Sequence, residues 1–181
     1  VDRLCRRILE LNLLAIRRLA AAGGDAIYID DATATSDMIS PAMYARFSLP
    51  YMCAMVAEIH RLRHKAIILY FGGVMDRLDL IAATGADALS YEASMKGYRN
   101  DTAAIARRIG DRMALFSNID PIVVLQDGTD ADLAAEIRRQ VEAGRAARGF
   151  IVSTASPITP ATPLARVQRF IALARKARGS V

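Results

Sequence analysis

The sequence predicts an α/β protein built on a parallel sheet, with five strands that are each followed by a helix. Three observations lead there. Segments with apolar residues at helical spacing alternate with short apolar runs of strand length. The strand runs are apolar on both faces, as buried parallel strands require. Glycines stand at the breaks, as in Gly24-Asp25-Ala26-Ile27 and Gly85-Ala86-Asp87-Ala88-Leu89. Repeated strand–helix units imply right-handed crossovers between parallel strands.

Residues 4–21 place Leu4, Ile8, Leu9, Leu13, Ile16 and Leu19 at helical spacing, and Gly23-Gly24 stops the run. Residues 26–30 form the first strand. Ser40-Pro41 starts a helix that runs to about residue 62, because serine can cap free amides and proline suits the first turn. Residues 66–71 are the second strand, broken by Gly72-Gly73. A short helix over 77–83 ends at Gly85, and 86–91 is the third strand. Residues 101–109 form a helix and 113–117 the fourth strand. The helix over 131–143 is capped by Thr129 or Asp130. The fifth strand covers 150–153, and Thr162-Pro163 opens the last helix, which runs to about 177. Periodicity alone leaves both an open doubly wound sheet and part of a barrel in play. A complete eight-fold barrel needs roughly 250 residues, so the 181 residues here fall about three units short.

At 53% hydrophobic and 24% charged, the chain suits one globular domain over residues 1–181 with a substantial core. Cys5 and Cys53 cannot build a disulfide framework, and neither has a metal-type partner nearby, so a reducing cytoplasm is expected. No apolar run approaches the roughly 18 to 20 residues that span a bilayer. No signal peptide is visible, and the first residues are already helical in pattern, as in a fragment or processed product. The net charge of +5 comes mostly from arginines along helices. Aromatics do not interleave with them, so nucleic-acid binding is not expected. His60 and His64 lie four apart on one helix, a metal-compatible spacing. Arg61, Arg63 and Lys65 surround them, however, and a solvated basic helix end is the better reading.

In parallel α/β folds, ligands bind at the carboxyl ends of the strands, where loops and helix N-termini meet. Those ends carry Asp30-Asp31 with Thr33 and Thr35, then Tyr70, Tyr91-Glu92, Asn118 with Asp120, and Ser153, Thr154 and Ser156. Adjacent carboxylates on a strand point to opposite sides, so only one of Asp30 and Asp31 can face the mouth. Asp31, Tyr70 and Glu92 are taken as the catalytic residues, Asp31 as the acidic rim group and Tyr70 as a hydrogen-bond donor. Thr33, Thr35, Asn118, Asp120 and Ser156 are taken as substrate-binding and complete the polar lining. The glycine pair after Tyr70-Phe71 matches neither dinucleotide nor P-loop spacing, and no Gly-x-Ser-x-Gly elbow is present.

Five segments in order carry a family resemblance: GGDAIYIDDATATSDMISPAMYARFSLPYM, AIILYFGG, GADALSYE, GDRMALFSNIDPIVVLQDGT and GFIVSTASPITPATPLARVQRFI. Together they resemble the uroporphyrinogen decarboxylase superfamily, which includes porphyrinogen decarboxylases and corrinoid-linked methyltransferases. The resemblance implies a TIM (β/α)8 barrel of which this chain is the C-terminal five βα units. In the methyltransferase branch, the strand at 66–71 ends in His-x-Cys and a second Cys follows the last strand, together holding zinc that activates a thiol. The matching residues here are Tyr70, Gly72 and Ser156, so no metal is expected. The decarboxylase branch places a His where Ser156 stands, and its substrate-binding Ser matches Ala34, between Thr33 and Thr35. Its principal Asp and Arg residues lie in an N-terminal part that this chain does not contain. That chemistry needs no cofactor, since an acid protonates a pyrrole ring while positive groups position acetate carboxylates. The expectation is therefore a metal-free, decarboxylase-type lyase acting on a tetrapyrrole-like polyanion. The alternatives are a methyltransferase relative with a corrinoid as co-substrate, or a non-catalytic barrel subunit. Because a five-strand piece leaves two sheet edges unpaired, the remaining strands should come from a longer chain or from association, for example as a homo-oligomer.

Overall fold

The structure, a computed structural model, describes residues 1–94, 97–155 and 157–178. The helix α1 (Asp2–Ala22) leads into β1 (Ala26–Asp30), followed by α2 (Pro41–Phe47), α3 (Leu49–Arg61) and β2 (Lys65–Tyr70). Next come α4 (Leu78–Ala83), β3 (Ala88–Tyr91), α5 (Thr102–Ile109) and β4 (Ala114–Phe116). A π-helical turn (Pro121–Gln126), α6 (Asp130–Ala143), β5 (Phe150–Ile151) and α7 (Leu164–Arg178) complete the order.

All strand pairs are parallel, and the strands lie side by side in sequence order from β1 to β5. A doubly wound sheet reverses its strand order at a switch point. Here every strand adds to the same side of the one before, as in a barrel wall. Helices cover one face only. Ile27 and Ile29 of β1, and Ala66, Ile68 and Tyr70 of β2, join Ile16, Met52, Val56, Ile59, Ile81 and Ile105 in one core. Each fully buried aliphatic side chain of this kind contributes about 1.5–3 kcal/mol. The alternate residues face the other side, where Tyr28 is 50% exposed and Ile151 44%. On that face Tyr28 meets Phe116 edge to face, with ring centroids 6.0 Å apart. In a closed barrel this face is the packed interior.

Local chemistry explains most of the boundaries. The Ser40 hydroxyl accepts the Met43 amide at 3.2 Å and caps α2. Thr129 and Asp132 form a reciprocal capping box at the start of α6. The single helix expected over 40–62 is divided at Ser48, because Pro50 has no N–H for the preceding turn and disfavours helical backbone just before it. The π-helical turn was not predicted. Asp120 caps it, accepting the Ile122 and Val123 amides at 2.8 Å each. Arg166 of α7 closes the other end, donating to the Leu125 carbonyl at 2.9 Å and the Gly128 carbonyl at 2.8 Å.

At the opposite end of the sheet, Asp87 ties β2 to β3. It accepts from the Lys65 ammonium at 2.8 Å and the Ala66 amide at 2.9 Å, and it lies 2.7 Å from His60 Nε2. His60 is therefore more than part of a solvated helix end. Burial alone would raise the Asp87 carboxyl, but Lys65, the Ala66 amide and His60 outweigh it and hold it down to about 2. A depressed folded value stabilises the fold above the unfolded value and is lost as pH falls through the folded one. Between about pH 4 and pH 2, the wild type is expected to lose on the order of 1 kcal/mol more stability than Asp87→Asn, allowing for solvent screening. Parallel loss in both proteins, followed by urea unfolding, would refute this role.

Candidate functional site

The residues at the carboxyl ends of the strands form two connected groups. The first lies between the ends of β1 and β2 and the helices α2 and α3. Asp30 continues the helix-free face of β1 and accepts the Ala32 amide at 2.9 Å. Asp31, expected as the acidic rim group, turns instead toward α2 and α3 and accepts the Ser48 hydroxyl at 2.8 Å. Burial pushes the Asp31 carboxyl above its ordinary range and the Asp30 charge adds to this, while Ser48 and Arg77 oppose it. The Tyr44 hydroxyl is buried against the same carboxyl but makes no hydrogen bond of proper distance and angle.

Tyr70 requires a correction. Expected as a donor to a ligand, it is 0% exposed, and its hydroxyl donates to the Ala34 carbonyl. The alternation that buries Ala66 and Ile68 carries Tyr70 to the same helix-covered side. Burial holds its hydroxyl well above the usual tyrosine range, with Arg77 opposing.

The second group centres on Glu92, just after β3. Its carboxylate accepts the Gly72 amide at 2.9 Å and the Tyr98 hydroxyl at 2.8 Å. Asn100 braces it from below, its side-chain amide donating to the Gly72 and Glu92 carbonyls at 2.9 Å each while its oxygen accepts the Val74 amide. Asn118, expected to bind substrate, is 6% exposed and spends both ends of its amide within the protein. Its nitrogen donates to the Glu92 and Asn100 carbonyls at 3.1 and 3.2 Å, and its oxygen accepts from Gln140 and Thr102. Thr102 also accepts the Tyr91 hydroxyl, which burial has pushed up to about 12.

Of the remaining expected residues, Thr33 is exposed and Thr35 is buried against Gly72. Asp120 serves as the cap of the π-helical turn. Ser156 lies outside the described residues. The described residues thus form a half-buried carboxyl group beside α2 and a Glu92 network, which meet where Thr35 lies against Gly72. Sequence reasoning missed Arg77, Tyr98, Asn100 and Gln140. Only the adjacent Asp76-Arg77 pair could have signalled any of these, since their partners are remote in the chain. Two clefts open away from the rim. One of about 480 Å³ runs between α6 and α7, and one of about 640 Å³ lies beside β5 against Phe150, Ile151 and Val152.

The zinc ligands implied by the methyltransferase resemblance can be tested on this geometry. Tyr70 is enclosed and bonded internally, and Gly72 has φ +94°. A Cβ at Gly72 would stand 2.7 Å from the Thr35 Cβ, so cysteine does not fit there. Among the described residues, no group of three or more His, Cys, Asp or Glu side chains could hold a metal ion. No helix among them is long and apolar enough to cross a membrane.

A parallel wall in barrel order with polar loops at its carboxyl ends defines a partial (β/α)8 barrel. The family model for uroporphyrinogen decarboxylase (URO-D) matches residues 1–177, and the chain belongs to that family. It is 33% identical to a uroporphyrinogen decarboxylase of Tolumonas auensis, across 83% of this chain and 41% of that protein. It is 25% identical to a methylcobamide:CoM methyltransferase of Methanosarcina mazei, across 93% of this chain and 47% of that protein. A solved methyltransferase structure from Methanosarcina mazei superposes with a TM-score of 0.80 at 23% identity, covering 93% of this chain and 47% of that one. The chain therefore spans less than half the length of these relatives.

Proposed function

We propose that this chain is the C-terminal part of a metal-free, decarboxylase-type barrel that binds a tetrapyrrole-like polyanion. The observation that carries the reading is the misfit at Tyr70 and Gly72, where a thiol-activating zinc site would need ligands. The 33% identity to a decarboxylase across 83% of the chain supports it. Removing a carboxylate as carbon dioxide breaks one C–C bond and places a proton on the carbon left behind, so the site must supply an acid and groups that hold the other carboxylates. The principal acid and the cationic groups then belong to the strand–helix units outside this chain, which close the sheet at β1 and β5. Asp30, on the helix-free face of β1, is the acidic group this chain turns toward the barrel interior, and Asp31 is held behind it by Ser48. Glu92 orders Tyr98 and the Gly72 amide at the rim. Thr33 and Thr35 belong to the loop between them.

The test is anaerobic incubation of the full-length protein with uroporphyrinogen, followed by mass analysis of the porphyrins. Stepwise loss of carbon dioxide is the expected result. A second reading, corrinoid-dependent methyl transfer, rests on the methyltransferase relative. It would be favoured instead by a methylcobalamin absorbance change with coenzyme M and no decarboxylation. Inactivity in both assays would leave a binding subunit.

A further inference from the structure

We propose that Arg77 is the positioning residue of the rim, a buried guanidinium that sets the shape of the β1–α2 loop without touching a ligand. Which ligand meets that loop rests on the reading above, but the clamp itself does not. Arg77 is 1% exposed and is among the largest fully buried side chains of the protein. Its Nη1 donates to the Ala34 carbonyl at 2.9 Å, and its Nη2 donates to the Ile39 carbonyl at 2.7 Å. Asp76 neutralises it through two further bonds, from Nε at 2.9 Å and from Nη2 at 3.0 Å. The guanidinium also lies 5.5 Å from the centroid of the Tyr44 ring.

One planar group thus pins both ends of the segment 34–39. The Tyr70 hydroxyl reinforces the first point by donating to the same Ala34 carbonyl. Between the pinned carbonyls, Ser36, Asp37 and Met38 are exposed on the rim. Side chains of the segment press on Gly72 and Gly73, where an added Cβ would meet Thr35 and Asp37 at the first and Ser36 at the second. Burying a cation is costly unless it is paired and bonded, and apolar packing serves a core equally well. An arginine at this point is therefore explained by what its fork can hold. Lysine supplies one charge and no rigid fork, so it cannot span two carbonyls at a set spacing.

The test uses the full-length protein with Arg77→Lys, Arg77→Met and Asp76→Asn. Amide exchange is read at Ala34, Met38 and Ile39, whose N–H groups bond within the loop, and in α5 and β4 as controls. The expected result is at least tenfold faster exchange in the loop of both Arg77 variants, with α5 and β4 unchanged. With uroporphyrinogen as the probe, KM should rise about tenfold and kcat change less than threefold. Unchanged loop exchange, or an equal rise through α5 and β4, overturns the proposal; so does a faster loop with wild-type KM. If Arg77→Met does not fold, Arg77→Lys and Asp76→Asn carry the same comparison. If the wild type does not turn over uroporphyrinogen, the decarboxylase reading fails while the exchange experiment still decides the clamp.

Discussion

Gly72→Cys is expected to lower the unfolding free energy by about 4 kcal/mol. Two costs add. The backbone at Gly72 has φ +94°, which a side chain adopts at a cost of about 1–3 kcal/mol. The new Cβ would stand 2.7 Å from the Thr35 Cβ, and overpacking of that kind costs typically 1–3 kcal/mol. The Thr35 atom cannot simply swing aside, because Arg77 and Tyr70 hold the carbonyl of the residue before it. Gly24→Ala is the control: its φ is +107°, but nothing lies within 4 Å of an added Cβ. It should cost about 1–2 kcal/mol from backbone strain alone. Urea unfolding of both variants separates the two contributions. Equal losses would mean that the loop yields to a side chain at residue 72, and the misfit argument against a zinc ligand there would collapse.

Asn118→Ala is expected to cost about 3 kcal/mol, from the range seen when a buried hydrogen-bonded network loses a central member. The amide links β3, β4, α5 and α6 through Glu92, Asn100, Thr102 and Gln140. Some partners retain a second bond, since Asn100 still serves the Glu92 carbonyl and Thr102 still reaches Gln140. The Gln140 amide keeps Glu136 but loses its shortest bond, at 2.7 Å. A residue that only contacted substrate would show the reverse pattern, with weaker ligand binding and an unchanged melting temperature. Thermal unfolding of the variant without ligand decides between these roles.

Both experiments concern residues whose position in the chain was easier to read than their surroundings. The strand–helix alternation, the Ser40 and Thr129 caps and the breaks at glycine were legible because they depend on neighbours within a few residues. The family was legible from motifs spread along nearly the whole chain. The π-helical turn was not, because its closing partner Arg166 lies 41 residues from Leu125. The candidate site was legible only as a set of strand ends.

By itself, the sequence determined the element order and the parallel sheet, since local apolar periodicity and capping chemistry specify these without reference to distant residues; the family came from the ordered motifs along the chain. The motif resemblance already implied a barrel, which the strand order bears out; only the tertiary structure decided that Tyr70 and Asn118 turn inward and that Arg77 holds the rim loop from beneath. The physical reason is that burial and hydrogen-bond satisfaction belong to contacts between remote segments, and a polar residue at a strand end looks the same in sequence whether it meets solvent or the chain itself.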